Sequence, residues 1–236
     1  MAWTDQIFSY CERGANPAFW AEPFNAVSNA AFLVAAIGAG LAWTRQPPPA
    51  RGTPEAFLIG LVAVIGVGSF LFHTLATRWA VVADVVPIGA FMFAYAGYTL
   101  RRFLGLPWIA VWIGLLGFAA LLQMAFTAPC PVALRALVRG SACLNGSTGY
   151  GPALAMLAGS GLVASARRHR AGPYLLAASA IFALSLAART LDLEACGASR
   201  ILGAVRGTHA LWHTLNAVTL AVLLFAALRH GARAPI

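Results

Sequence analysis

The chain has 236 residues, of which 60% are hydrophobic and only 10% are charged. Soluble domains carry roughly 25% charged residues, so this composition excludes the soluble class and predicts an integral membrane protein. The formal charge of +9 comes from sixteen arginines against seven acids, without lysine. Because the arginines stand in short segments between apolar runs, they indicate membrane topology, and we exclude nucleic-acid binding.

Seven apolar runs follow one another along the chain, each near the ~20 residues that cross a bilayer. They lie at about 24–44, 55–76, 80–100, 107–127, 149–166, 172–190 and 207–228. The residues before them carry several acids and lack the basic start and apolar core of a signal peptide. The sequence therefore predicts an all-α fold. It consists of an N-terminal cap segment (1–23) and an integral membrane bundle of seven transmembrane helices (24–236).

Arginine counts predict the orientation of this bundle, because seven spans place the two termini on opposite sides. The segments on the C-terminal side hold Arg45, Arg51, Arg101, Arg102, Arg167, Arg168, Arg170, Arg229 and Arg233. Those on the N-terminal side hold Arg13, Arg78, Arg135, Arg139, Arg200 and Arg206, with Arg189 at the edge. Cytoplasmic loops are richer in arginine, so we expect the C-terminus in the cytoplasm and the N-terminus outside. An arginine-only basic set with abundant alanine is typical of a GC-rich genome, and we expect a bacterial inner membrane protein.

Four cysteines, Cys11, Cys130, Cys143 and Cys196, all fall in segments on the predicted outer side. An oxidising compartment permits disulfides, and four cysteines allow three pairings. We favour Cys11–Cys196 together with Cys130–Cys143, which closes one loop. Four free thiols remain the alternative.

The N-terminal segment concentrates polar groups ahead of the first apolar run. Tyr10, Glu12, Asn16 and Glu22 bring carboxylate, amide and backbone oxygens close together in sequence. Such oxygens suit calcium, although the spacing is not that of an EF-hand loop. The alternative is a folded cap whose side chains satisfy the start of the first helix.

Three histidines stand at the ends of apolar runs. His73 ends the second run in GSFLFH, and His209 and His213, four residues apart, open the last run. On a helix this spacing puts both imidazoles on one face, about one turn apart. In the predicted bundle all three lie at similar depth near the outer side. They predict a metal site, and zinc suits three protein nitrogens with one open position.

Two further polar residues lie near these histidines. Asp84 follows His73 by eleven residues and begins the third run, and Ser69 precedes His73 by one helical turn. Ionisable groups within spans are functional candidates by default. Asp84 would orient a water molecule or act as general base. The Ser69 hydroxyl would bond that water or an oxyanion, or else Ser69 is a small residue at a helix contact.

The motifs YCE, FWAEPFNAVSN, GSFLFH, ADVVPI and HALWH, in this order, resemble those of the alkaline ceramidase family. The resemblance extends from about Tyr10 to Asn216, nearly the whole chain. It implies a seven-helix fold with an intramembrane zinc held by His73, His209 and His213.

In that family, the serine and the acid that match Ser69 and Asp84 help position and deprotonate the water that attacks the amide of ceramide. The products would be a sphingoid base and a fatty acid. The family's disulfide matches Cys11 and Cys196.

The calcium motif of eukaryotic family members matches only in part. It begins with an aspartate where this chain has Ser9, while Glu12 and Glu22 remain. Asn16 stands in for the family's asparagine with a shifted spacing, and Asp5 is a candidate to complete the site.

These observations predict a zinc-dependent amidase whose partner is a membrane lipid, either ceramide or another N-acyl lipid. A monomer or weak oligomer is expected. Two alternatives remain: a seven-helix receptor or channel with a structural zinc, and a hydrolase of another acylated lipid.

Overall fold

The computed structural model describes residues 2–135, 142–201 and 203–231. It is 73% helical with almost no strand, which confirms the all-α class. The α-helices are α1 (Pro23–Ser28), α2 (Ala30–Thr44), α3 (Thr53–Leu75), α4 (Arg78–Tyr98), α5 (Trp108–Thr127), α6 (Val132–Arg135), α7 (Gly151–Ala166), α8 (Gly172–Leu191) and α9 (His209–His230). Short 3-10 helices cover Pro48–Ala50 and Cys143–Tyr150, and a π-helical turn, Thr99–Phe103, extends α4. One two-residue hairpin pairs β1 (Arg200–Ile201) with β2 (Ala204–Val205).

Six helical stretches of the described chain are long and apolar enough to cross a membrane, as expected of a multi-pass membrane protein. They are Pro23–Thr44, Thr53–Leu75, Arg78–Phe103, Trp108–Thr127, Gly172–Leu191 and His209–His230. The fifth predicted span is α7, a shorter helix of 16 residues that packs beside α8. The seventh span and the sidedness of the termini stay predictions.

The helices form a closed ring. α4, α3, α2, α9, α8 and α7 are neighbours in that order, and α5 contacts both α7 and α4. Of the six apolar stretches, α9 has the largest buried share, 56%, whereas α5 has 17%. α5 presents exposed side chains such as Trp112, Ile113 and Leu116, as expected of a surface covered by lipid. The helix that carries two of the three histidines therefore stands deepest in the bundle.

The first predicted span is broken at Asn29, between α1 and α2. Asn29 is buried, and its side-chain amide donates to the carbonyl oxygen of Asn25 at 2.8 Å. Polar side chains in this part of the helix consequently face the interior of the bundle instead of lipid.

The N-terminal segment folds over one end of the bundle. The Ile7 amide donates to the Ala76 carbonyl oxygen at 2.6 Å, next to the tight turn between α3 and α4. Two disulfides, Cys11–Cys196 and Cys130–Cys143, confirm the favoured pairing and leave no free cysteine. The first of them ties this segment to the chain ahead of α9.

Candidate metal centre

The first turn of α9 is fixed by a carboxylate from the end of α8. Asp192 accepts hydrogen bonds from the backbone amides of Thr208 and His209, both at 2.9 Å, and of Cys11 at 3.0 Å. A side chain from another element thus satisfies amides that the start of a helix leaves unpaired. Gly207 precedes this turn with φ +68°, and a Cβ there would lie 2.1 Å from Asp192 Oδ1. These contacts therefore fix the position of His209 at the N-terminus of α9.

The three histidines converge inside the bundle. His73 comes from the last turn of α3, and His209 and His213 come from successive turns of α9. One ring nitrogen from each lies within 4.8 Å of the others, and all three side chains are buried. Among the described residues, this is the only group of three or more His, Cys, Asp and Glu with metal-ligand spacing.

Hydrogen bonds set the orientation of two of these rings. His73 Nδ1 lies 2.6 Å from Glu22 Oε2. His213 Nδ1 lies 2.8 Å from Ser28 Oγ and 3.1 Å from the carbonyl oxygen of Asn25. Since a carboxylate and a carbonyl oxygen accept, Nδ1 carries the proton in both rings and Nε2 keeps its lone pair. Partners of this kind are typical of metal-binding histidines, because they fix the tautomer and the ring plane.

The free nitrogens of the cluster fit a metal ion. His73 Nε2 and His209 Nδ1 are buried, and neither has a hydrogen-bond partner. Leaving buried polar atoms unpaired costs about 1–3 kcal/mol each, so such groups call for a ligand. Three imidazoles with one nitrogen each in this group form a donor set that zinc prefers.

Ser69 and Asp84 meet at the contact between α3 and α4. Both are buried, a hydrogen bond joins their side chains, and Asp84 Oδ1 has no partner. The helices approach closely here because residue 68 is glycine: a Cβ on Gly68 would lie 2.0 Å from the Ala83 carbonyl oxygen. Ser69 and Asp84 line a cavity of about 210 Å³ together with the two histidines of α9.

Aromatic rings and one arginine complete the wall of this cavity. Tyr10 stacks on His209 with ring centroids 3.7 Å apart. Burial raises the pKa of Tyr10 to about 12, so its hydroxyl stays neutral at physiological pH. The Arg189 guanidinium lies over the rings of Tyr150 and Trp212, at 5.5 and 5.3 Å from their centroids. Arg189 is thus a cation at the edge of the cavity.

The family model for Ceramidase matches residues 8–234, nearly the whole chain. The chain belongs to the alkaline ceramidase family. A search of curated proteins found no match. Membership supports a ceramide-hydrolysing function, and with it an amide hydrolase that acts on a lipid.

Three of the candidate calcium ligands of this ceramidase-family chain, Glu12, Asn16 and Glu22, already have partners within the protein. Glu12 Oε1 lies 2.8 Å from Arg206 Nη1, and Glu22 Oε1 lies 2.5 Å from Arg13 Nε. The Asn16 amide oxygen accepts from its own loop. Both carboxylates are thus already paired with a cation, and these residues do not fit a calcium site.

Glu22 has another role than the one predicted from sequence. Burial by itself would raise the pKa of Glu22, but hydrogen bonds from His73, Asn25 and Arg13 outweigh it and lower that pKa. The carboxylate therefore stays ionised in the interior and faces a zinc-ligand candidate.

Sequence reasoning did not predict that Glu22, Asn25 and Ser28 orient the histidine rings. Glu22 and Ser28 lie 51 and 185 residues from their histidine partners, so no local spacing reports the contact. One signal was available: NAVSN places three polar side chains at the start of an apolar run, where lipid would disfavour them.

Proposed function

We propose that this protein is a zinc-dependent intramembrane amidase, which hydrolyses the N-acyl amide of ceramide-like sphingolipids to a sphingoid base and a fatty acid. The observation that carries the proposal is the buried triad of His73, His209 and His213, with unpaired nitrogens, beside Ser69 and Asp84. Membership of the ceramidase family supports the same substrate class.

His73, His209 and His213 would hold the zinc. When bound, zinc supplies Lewis-acid polarisation of the amide carbonyl and lowers the pKa of water. The chain supports this arrangement through Glu22, which fixes the ring of His73, and Ser28, which fixes that of His213.

Asp84 is the proposed general base and acid. Its Oδ1, which has no partner, takes one proton from the attacking water as the new C–O bond forms. When the C–N bond breaks, the same proton goes to the amine of the sphingoid base. The hydrogen bond from Ser69 holds the carboxylate in place during both transfers.

An apolar cavity continues from the reaction cavity toward the middle of the bundle and supports a lipid substrate. The two cavities share Ile65, Ile88, Tyr150 and Asn216. Side chains of six α-helices line the apolar part, among them Phe91, Met92, Phe118, Leu157, Phe182 and Leu223. We assign it to an acyl chain, since most of its lining side chains are aliphatic or aromatic.

A structural zinc in a receptor would be closed by a fourth protein ligand. Within the described residues the metal-binding group contains three histidines and no fourth His, Cys, Asp or Glu. That arrangement leaves room for a reacting group and favours the enzyme.

The test compares two histidine variants of the purified protein, with fatty acid released from a panel of ceramides and zinc content as readouts. His213→Ala is expected to lose both zinc and turnover. His230→Ala, at the other end of α9, is the matched control and is expected to keep both. Full turnover in zinc-free His213→Ala would contradict the proposal. If the wild-type protein binds zinc but hydrolyses none of the ceramides, the substrate would instead be another acylated lipid.

A further inference from the structure

The N-terminal segment encloses a buried guanidinium. Arg13 is 3% exposed and donates five hydrogen bonds. The acceptors are Glu22 Oε1 (2.5 Å) and the carbonyl oxygens of Asn16 (3.2 Å), Ala18 (3.0 Å), His73 (2.8 Å) and Thr74 (3.2 Å). A guanidinium has five N–H groups, so every one has an acceptor. The site is built around this cation.

These acceptors are a carboxylate and four backbone carbonyl oxygens, the same oxygen types that coordinate calcium in proteins. Here their lone pairs converge on the Arg13 side chain. A second acid of the segment, Glu12, is also engaged: Arg206 lies against its Oε1, and the backbone amides of Phe24 and Asn25 donate to its two oxygens. A calcium ion would have to displace an arginine to gain either Glu12 or Glu22.

The same guanidinium reaches the metal centre by two routes. Through Glu22, whose other oxygen lies 2.6 Å from His73 Nδ1, it fixes the carboxylate that orients the ring. Directly, Arg13 Nη2 donates to the carbonyl oxygen of His73, where α3 ends. Removing Arg13 would leave a buried carboxylate unbalanced and free both contacts.

We propose that Arg13 is a built-in cation that takes the place of a calcium ion in the N-terminal segment and positions His73 through Glu22. The protein therefore needs no calcium. The part that concerns His73 rests on the proposed zinc site, whereas the part that concerns calcium does not.

The first experiment measures calcium itself. Purified zinc-loaded protein is titrated with radioactive calcium to about 1 mM free ion, the range of the weakest calcium modules, and melted with and without it. We expect no saturable binding and no change in Tm. Saturable binding near one ion per chain, together with a raised Tm, would overturn the proposal.

The second experiment tests positioning through zinc affinity, measured by competition with a chelator. Arg13→Gln is expected to weaken zinc binding about 10- to 100-fold, as losses of such orienting partners do. Arg13→Lys keeps the positive charge but loses the planar guanidinium with its five N–H donors. Its zinc affinity should therefore lie between those of Arg13→Gln and the wild type. Arg206→Gln is the matched control, because Arg206 pairs with Glu12 and not with Glu22. This variant is expected to bind zinc with wild-type affinity.

A double variant keeps the test decisive if the buried carboxylate destabilises Arg13→Gln. Because Arg13 acts through Glu22, the loss of zinc affinity in Arg13→Gln/Glu22→Gln should be close to that in Glu22→Gln alone. Additive losses, or wild-type zinc affinity in Arg13→Gln and Arg13→Lys, would overturn the positioning role. Neither readout requires ceramide turnover, so failure of the proposed reaction is distinguishable from failure of this inference.

Discussion

Asp84 differs from the three histidines in that it lies on another helix and keeps one oxygen free. Asp84→Asn preserves the size of the side chain and its contact with Ser69 but removes the proton acceptor. We expect kcat to fall by about 10²- to 10⁴-fold, the usual contribution of a general base. Zinc content should stay at the wild-type value, and fatty-acid release with metal analysis of one sample measures both.

Glu55→Gln is a matched control for that substitution, since Glu55 is another buried acid, near the start of α3, and contacts Tyr98. It is expected to retain kcat. If Asp84→Asn loses zinc together with turnover, Asp84 is a metal ligand and its assignment as base is wrong.

Local spacing explains which site residues were predictable. His209 and His213 are one helical turn apart, as are Ser69 and His73, so the sequence alone places each pair on one helix face. Glu22 was predicted as a calcium ligand because its neighbours are polar. Its position against His73 depends on how α3 packs under the N-terminal segment, which no short pattern encodes.

At the scale of elements, the close contact of α3 with α4 brings Ser69 to Asp84. A Cβ on Gly68 would lie 2.0 Å from a backbone carbonyl oxygen of α4, which cannot move aside as a side chain can. Gly68→Ala should therefore push the two helices apart and separate Asp84 from Ser69. We expect turnover to fall at least about 10²-fold, since small misplacements of catalytic groups cost that much.

Gly60→Ala is the control for this substitution, because Gly60 lies on the same helix and its Cβ would meet nothing within 4 Å. It should keep wild-type turnover and melt at the same or a slightly higher temperature, as alanine favours helix. Equal activity of the two variants would show that the contact at Gly68 does not position the site.

Hydropathy predicted the ends of the long helices to within a few residues. The reason is that an apolar segment in lipid has to form its backbone hydrogen bonds within itself, which favours a continuous helix. Hydropathy did not predict the break at Asn29, the 16-residue length of α7 or the π-helical turn that extends α4. At the first of these, the Asn29 amide bonds to the Asn25 carbonyl oxygen, which also lies 3.1 Å from His213 Nδ1 of α9, a contact that hydropathy does not encode.

In the whole molecule, the histidine cluster and the Cys11–Cys196 disulfide lie at the same end of the bundle. The Cys11–Cys196 disulfide holds the N-terminal segment next to Asp192, which caps α9 at His209. Disulfides persist in oxidising compartments. The end of the bundle that carries the histidines is therefore expected to face outside, in agreement with the arginine-rich segments at the other end.

This orientation is testable with reporter fusions in a bacterial host. Alkaline phosphatase, which is active only outside the cytoplasm, should be inactive when fused after Gly231 and active when fused after Arg135. A fluorescent protein that folds in the cytoplasm should give the opposite pattern. The reason is that an odd number of spans, with α7 as one of them, places the C-terminus opposite the N-terminal segment. An active phosphatase after Gly231 would mean that α7 does not cross the membrane or that the bundle is inverted. The fusion after Arg135 separates these two outcomes, because it would stay active in the first case and become inactive in the second.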